Sequence, residues 1–167
     1  MTTNASVTVT TPSDREVMMT RLFDAPRNMV FDCYTRPELL KRWMGPAGWT
    51  FFRCDNDLRV GGAFHWQWRK ADGHEIGISG VYKDIVRPAR ITRTEVYDHD
   101  PSCESLGTLL LAEHDGMTIV TLSVAFASQA ARDGALKSSC MAEAVDANFS
   151  QLETLLAELK RTQSSAA

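Results

Sequence analysis

The stretch Glu16 to Phe23, EVMMTRLF, is made of residues that suit a β-strand. Asp24-Ala25-Pro26 follows as a turn, and a proline at this point is well placed to open a helix, because its missing N–H costs nothing there. A helix is expected from Pro26 to about Tyr34, with Met29, Val30 and Cys33 on one side. It stops near Arg36-Pro37, since the residue before a proline is pushed out of helical geometry. A second short helix can begin there, its apolar side being Leu39, Leu40, Trp43 and Met44. Gly45-Pro46-Ala47-Gly48 cannot continue it.

From Trp49 onward the chain reads as strands divided by turn signals, near 49–58, 62–70, 74–86, 90–98, 104–114 and 117–126. The breaks fall at Val60-Gly61-Gly62, Ala71-Asp72-Gly73, Arg87-Pro88, His99-Asp100-Pro101 and His114-Asp115-Gly116. The two Asp-Gly pairs are the firmest, because a tight hairpin needs residues that tolerate positive φ. From about Gln129 to Lys160 there is no proline. Met141, Val145, Asn148, Phe149, Leu152, Leu155, Leu156 and Leu159 recur there at three- and four-residue steps, the pattern of one long amphipathic helix, with Gly134 near its start. No internal repeat is visible. Residues 1–13 and 162–167 carry no apolar period and are expected to fray, leaving one domain over 14–161. This order does not alternate strand and helix, so an α+β antiparallel sheet covered on one face by the long helix is expected.

Composition narrows the function. With 167 residues, 44% hydrophobic and 23% charged, the chain has the make-up of a folded domain large enough for a real core. A net charge of -3 and no basic cluster argue against nucleic acid as a partner. No apolar run approaches the roughly 20 residues of a membrane span. The first residues lack the segments of a secretion signal, so a cytoplasmic location and reduced thiols at Cys33, Cys54, Cys103 and Cys140 are expected. His65, His74, His99 and His114 stand at no metal-ligand spacing, and no cofactor is expected. Ser123 and Ser139 lack a nucleophile-elbow context, and Gly61-Gly62 lacks the Lys-Ser/Thr of a phosphate loop.

In GAFHWQWRK, alternation puts Phe64, Trp66 and Trp68 on one face of a strand and His65, Gln67 and Arg69 on the other. Such an aromatic wall serves either as core or as one side of a pocket for a flat apolar molecule. Ile76, Ile78, Gly80 and Tyr82 share a face of the next strand, and a buried Tyr82 hydroxyl needs a partner, either ligand or protein. Ile91, Arg93, Glu95 and Tyr97 share a face of the strand after that. Arg93 and Glu95 stand either in a cavity as a polar anchor or, more plainly, on the solvent face or at the cavity mouth. Met141, Val145 and Phe149 on the long helix close the other side. The candidate ligand-binding set is therefore Phe64, Trp66, Trp68, Ile78, Tyr82, Arg93, Glu95, Met141, Val145 and Phe149, with no catalytic residue named.

Several segments, in order along the chain, resemble one family: Leu22-Phe23-Asp24-Ala25-Pro26, Thr35-x-Pro37-Glu38-x-Leu40-x-x-Trp43-x-Gly45-Pro46, Asp57-Leu58-Arg59-x-Gly61-Gly62, Gly80-x-Tyr82 and Pro88-x-Arg90-Ile91. They are similar to the START-like (SRPBCC) superfamily, in the branch of the C-terminal domain of the heat-shock protein 90 ATPase activator homologue. The match departs at Ala147-Asn148, where many relatives carry Gly-Trp. The resemblance implies a helix-grip (START-like/Bet v-like) fold, in which a curved antiparallel sheet of about seven strands wraps a long C-terminal helix around a cavity. It implies three functional expectations: carriage of a small hydrophobic or aromatic ligand without catalysis, a polyketide cyclase/aromatase-like enzyme, or a co-chaperone-like, stress-response interaction protein. A homodimer is compatible with each.

Overall fold

The computed structural model of the chain describes residues 6–138 and 141–166. Ser139 and Cys140, both weighed above, lie outside the described residues. In chain order the elements are β1 (Thr8–Thr10), β2 (Glu16–Phe23), α1 (Arg27–Thr35), α2 (Pro37–Trp43), β3 (Thr50–Asn56) and β4 (Ala63–Arg69). Then come β5 (Glu75–Val86), β6 (Arg90–Tyr97), β7 (Asp100–His114), β8 (Met117–Ala125), α3 (Gln129–Ser138) and α4 (Met141–Ser165). The strands form one antiparallel eight-stranded sheet in the order β1-β2-β8-β7-β6-β5-β4-β3. The α+β helix-grip architecture expected from the sequence is the one observed.

Four local differences have physical reasons. The polar N-terminal segment contributes β1, whose Thr8 to Thr10 pair with Thr20 to Met18 and extend the sheet to eight strands. Backbone hydrogen bonding supplies that pairing, and it leaves no apolar signature to read. Pro26 caps α1 from outside instead of opening it, and Pro37 takes the first helical position of α2. β7 begins at Asp100, so Pro101 lies inside a strand; it is tolerated there because it falls at the strand's first residues. The long C-terminal helical segment is described as α3 and α4, with Gly134 within α3, and α4 continues past Lys160 to Ser165. At the β7–β8 hairpin, Asp115 and Gly116 both take positive φ, the backbone that the Asp-Gly pair predicted.

An eight-stranded sheet with neighbours about 4.8 Å apart is over 30 Å wide, roughly three helix diameters. One helix cannot cover it. α4 seats Phe149, Leu152, Leu155 and Leu156 against the concave face, each side chain contributing about 1.5–3 kcal/mol by burial. Phe149 meets Phe23 of β2 edge-on at 5.3 Å. α1 and α2 cover a second part of that face through Val30, Cys33, Leu40 and Trp43, all buried. The Trp43 indole donates to the Cys33 carbonyl at 2.9 Å, which locks the two short helices together.

α4 is also pinned by charge. Arg21 points inward from β2 with only 2% of its side chain exposed, and its Nη2 donates to Glu153 on α4 at 2.7 Å. Its Nη1 reaches Ser150 at 3.4 Å and lies 3.8 Å from Asp146. A charge in an otherwise apolar strand face is stable only with such partners. Nothing in the alternation of EVMMTRLF identified Arg21 as this link.

Cys33, Cys54 and Cys103 are free thiols. Burial pushes the Cys33 thiol up from 9.0 to about 12 and holds the Tyr34 hydroxyl far above its usual 10. Above about pH 9 the unfolded chain therefore releases protons that the folded chain keeps. Stability is fully present below pH 9 and falls as pH rises toward 12, by up to about 1.4 kcal/mol per pH unit for each such group. Urea unfolding across this window measures the fall, and Tyr34→Phe makes it shallower above pH 10. Arg21→Met is expected to cost about 1–3 kcal/mol in the same assay, since Glu153 stays partly solvated. A neutral result would show that apolar packing alone seats α4.

Candidate functional site

Between α4, the concave face of the sheet and the α2–β3 loop lies a cavity of about 280 Å³. That is near the lower end of the roughly 300–1,000 Å³ typical of ligand pockets, so its occupant would be compact. Of the ten expected ligand-binding residues, eight line it: Trp66, Trp68, Ile78, Arg93, Glu95, Met141, Val145 and Phe149. They come from β4, β5, β6 and α4, so residues far apart in sequence share one wall because strand alternation turns them to the same side. Most of the lining is apolar, and Arg93 and Glu95 are its only charged residues among those described.

Phe64 and Tyr82, expected on the same wall, are not in the lining. Phe64 packs behind it, with the Arg93 guanidinium carbon 4.8 Å from its ring centre. Tyr82 is buried, and its hydroxyl donates to Asn56 Oδ1 on β3. The Asn56 amide in turn donates to the Thr35 carbonyl of α1 at 3.0 Å. The partner that a buried Tyr82 requires is therefore the protein, and the chain Tyr82–Asn56–Thr35 ties β5 and β3 to α1. Burial raises the Tyr82 hydroxyl above its ordinary value, opposed by the nearby Arg93 charge.

Arg93 and Glu95 face the cavity, not the solvent, with 17% and 13% of their side chains exposed. Arg93 Nε donates to Glu95 Oε1 at 3.0 Å, and Nη2 lies 3.0 Å from the same oxygen. The guanidinium carbon stands 4.5 Å from the Trp66 ring centre, so the cation is held over an aromatic face. Room for the carboxylate comes from the next strand. Gly107 pairs with Arg93 across β6 and β7, and a Cβ placed there would fall 2.5 Å from Glu95 Oε1. This glycine carried no functional signal in the sequence, because its role depends on a side chain twelve residues away.

The α2–β3 loop forms one side of the lining. Gly45 has φ +123°, and a Cβ there would lie 2.2 Å from the Trp68 indole nitrogen, so only glycine fits. The Trp68 indole donates to the Met44 carbonyl at 3.0 Å, and Gly45 N–H donates to Asn148 Oδ1 on α4 at 3.1 Å. Asn148, the position where the family resemblance departs, thus joins α4 to the loop. Tyr34, Trp43, Met19 and Leu122 also line the cavity. Sequence reasoning placed Trp43 on an apolar helix side and did not single out the other three. Among the described residues there is no cluster of metal-ligating side chains.

A family model described as "Activator of Hsp90 ATPase homolog 1-like protein" matches residues 24–157. Among solved structures, a Rhodobacter sphaeroides protein is 28% identical with a TM-score of 0.87, over 92% of this chain and 99% of its own. A Mycobacterium smegmatis protein is 25% identical with a TM-score of 0.78, over 90% of this chain and 96% of its own. A Nitrosomonas europaea protein is also 25% identical, with a TM-score of 0.77 over 89% and 99%. No curated protein matches the chain. No helix among the described residues is long and apolar enough to cross a membrane.

The two strand glycines should respond differently to alanine. At Gly80 a Cβ would fall 1.8 Å from the Thr94 carbonyl oxygen, an immovable backbone atom, so Gly80→Ala should cost about 3 kcal/mol or more. At Gly107 the obstacle is the end of the flexible Glu95 side chain, so Gly107→Ala should cost less, about 1–3 kcal/mol, by displacing the carboxylate from Arg93. Denaturant unfolding ranks the two variants. The opposite ranking contradicts this geometry.

Proposed function

The chain belongs to the Activator of Hsp90 ATPase homolog 1-like family, and from that premise we propose that it binds or carries a compact hydrophobic or aromatic molecule inside the cavity. Fold membership alone does not assign an activity. The observation that carries the proposal is that Trp66 and Trp68, 1% and 7% exposed, border a volume of about 280 Å³ that no side chain fills. Core packing normally leaves no voids of that size, because each one forfeits dispersion contacts. Flat indole faces favour a ring system over a long flexible chain.

The cyclase-like reading has one specific observation in its favour, an inward-facing carboxylate at Glu95. Glu95 is already committed through Oε1 as the counter-ion of Arg93, which leaves Oε2 for any proton transfer, whereas the receptor reading asks no chemistry of the pair. The receptor reading is therefore the stronger of the two. The chaperone-directed and homodimer readings draw on no residue of this site.

Native mass spectrometry of freshly purified protein is expected to reveal a co-purified small molecule. Val145→Trp, which drives a large ring into the cavity from α4, should remove that adduct. It should also weaken binding of two- and three-ring aromatics at least tenfold, read as a lost thermal shift. Unchanged affinity in a folded Val145→Trp protein would place the binding elsewhere.

A further inference from the structure

Glu95 carries the one carboxylate of the cavity lining among the described residues, and its two oxygens are in different situations. Oε1 is taken: Arg93 Nε donates to it at 3.0 Å, and Nη2 lies 3.0 Å from the same atom. No hydrogen bond from any described residue reaches Oε2. The polar side-chain atoms that are both unpaired and shut off from solvent are Arg21 Nε, Arg27 Nε, Tyr34 Oη and Trp66 Nε1, and Oε2 is not among them. An unpaired atom outside that group is reachable, so Oε2 is an open acceptor.

The surroundings of Oε2 decide what it can accept from. Gly107, which the carboxylate overlies, belongs to the cavity lining too, and the Glu95 side chain is only 13% exposed. The oxygen therefore faces enclosed space and has little bulk water to satisfy it. A charged acceptor in that position forms a stronger hydrogen bond than a neutral one. A cationic donor is disfavoured, because the Arg93 guanidinium against Oε1 already supplies the positive charge. An anion is repelled by the carboxylate itself. The complementary group is an uncharged O–H or N–H, and the apolar remainder of the lining, with Trp66 and Trp68, suits the ring that bears it.

We propose that Glu95 Oε2 anchors an uncharged hydroxyl borne on a compact ring ligand, so that the cavity selects phenol-like molecules over plain hydrocarbons, ethers and acids. This rests on the cavity being a receptor and adds which functional group it selects. Arg93 is the positioning residue. Its guanidinium carbon stands 4.5 Å from the Trp66 ring centre and 4.8 Å from that of Phe64, and by holding Oε1 it fixes where Oε2 stands.

The test is calorimetric titration of the full chain with four two-ring probes of similar shape: naphthalene, 2-naphthol, 2-methoxynaphthalene and 2-naphthoate. 2-Naphthol should bind about tenfold or more tightly than naphthalene and 2-methoxynaphthalene, since a hydrogen bond to a charged group contributes about ten- to hundredfold. It should also outbind 2-naphthoate. Glu95→Gln keeps the shape of the side chain, and because Arg93 offers only donors the amide turns its oxygen to Arg93 and sets an NH2 where Oε2 stood. The preference for 2-naphthol over 2-methoxynaphthalene should then fall to about threefold or less, with naphthalene affinity unchanged. Should Glu95→Gln fail to fold, the ranking on the unmodified chain decides by itself. 2-Naphthol binding no better than 2-methoxynaphthalene, 2-naphthoate binding most tightly, or a folded Glu95→Gln chain that keeps the full preference each overturns the hydroxyl anchor and leaves the receptor reading standing. Binding of none of the four to the unmodified chain removes the receptor reading and this proposal together.

Discussion

A single helix laid across a sheet three times its width is the constraint on which this molecule depends. α4 uses Phe149, Leu152, Leu155 and Leu156 to close one part of the concave face, and α1 with α2 closes another. The rest of that face leaves the space bordered by Trp66, Trp68 and Arg93. The cavity is thus a consequence of widths and curvature. Shrinking it would require larger side chains on several strands at once or a helix set closer to the sheet.

The first half of α4 is held by contacts of two kinds. Toward the middle of the helix, Phe149 meets Phe23 and Arg21 meets Glu153, an apolar contact reinforced by a nearly buried cation. Nearer the start of the helix, Val145 and Met141 face the cavity, and the hydrogen bond between Asn148 and Gly45 holds the helix to the α2–β3 loop.

Charge inside the cavity is managed across strands. Arg93 is stacked on Trp66 and Phe64, Glu95 neutralises it, and Gly107 on the neighbouring strand makes room for the carboxylate. The three positions form one unit, since an alanine at Gly107 would displace the carboxylate and leave a cation facing an apolar wall. The pair gives the site a polar corner without giving it a net charge. The Tyr34 hydroxyl and the Trp66 indole N–H are shut off from solvent and have no hydrogen-bond partner in the protein.

By itself the sequence determined the order of the main elements, the antiparallel sheet, the turns at the Asp-Gly pairs and which residues share a face of each strand. Period and turn chemistry are local, and alternation alone placed Trp66, Trp68 and Ile78 on the wall they occupy. It also put Arg93 and Glu95 on one face of β6, yet whether that face looked inward depended on how seven other strands were arranged around it. Only the tertiary structure decided that the pair is enclosed, that the Tyr82 hydroxyl bonds to Asn56, and that Phe64 stands behind the wall. Gly107, Tyr34 and Arg21 were illegible for the same reason: a missing side chain, an unpaired hydroxyl and a buried cation acquire meaning only from atoms that folding brings from elsewhere in the chain.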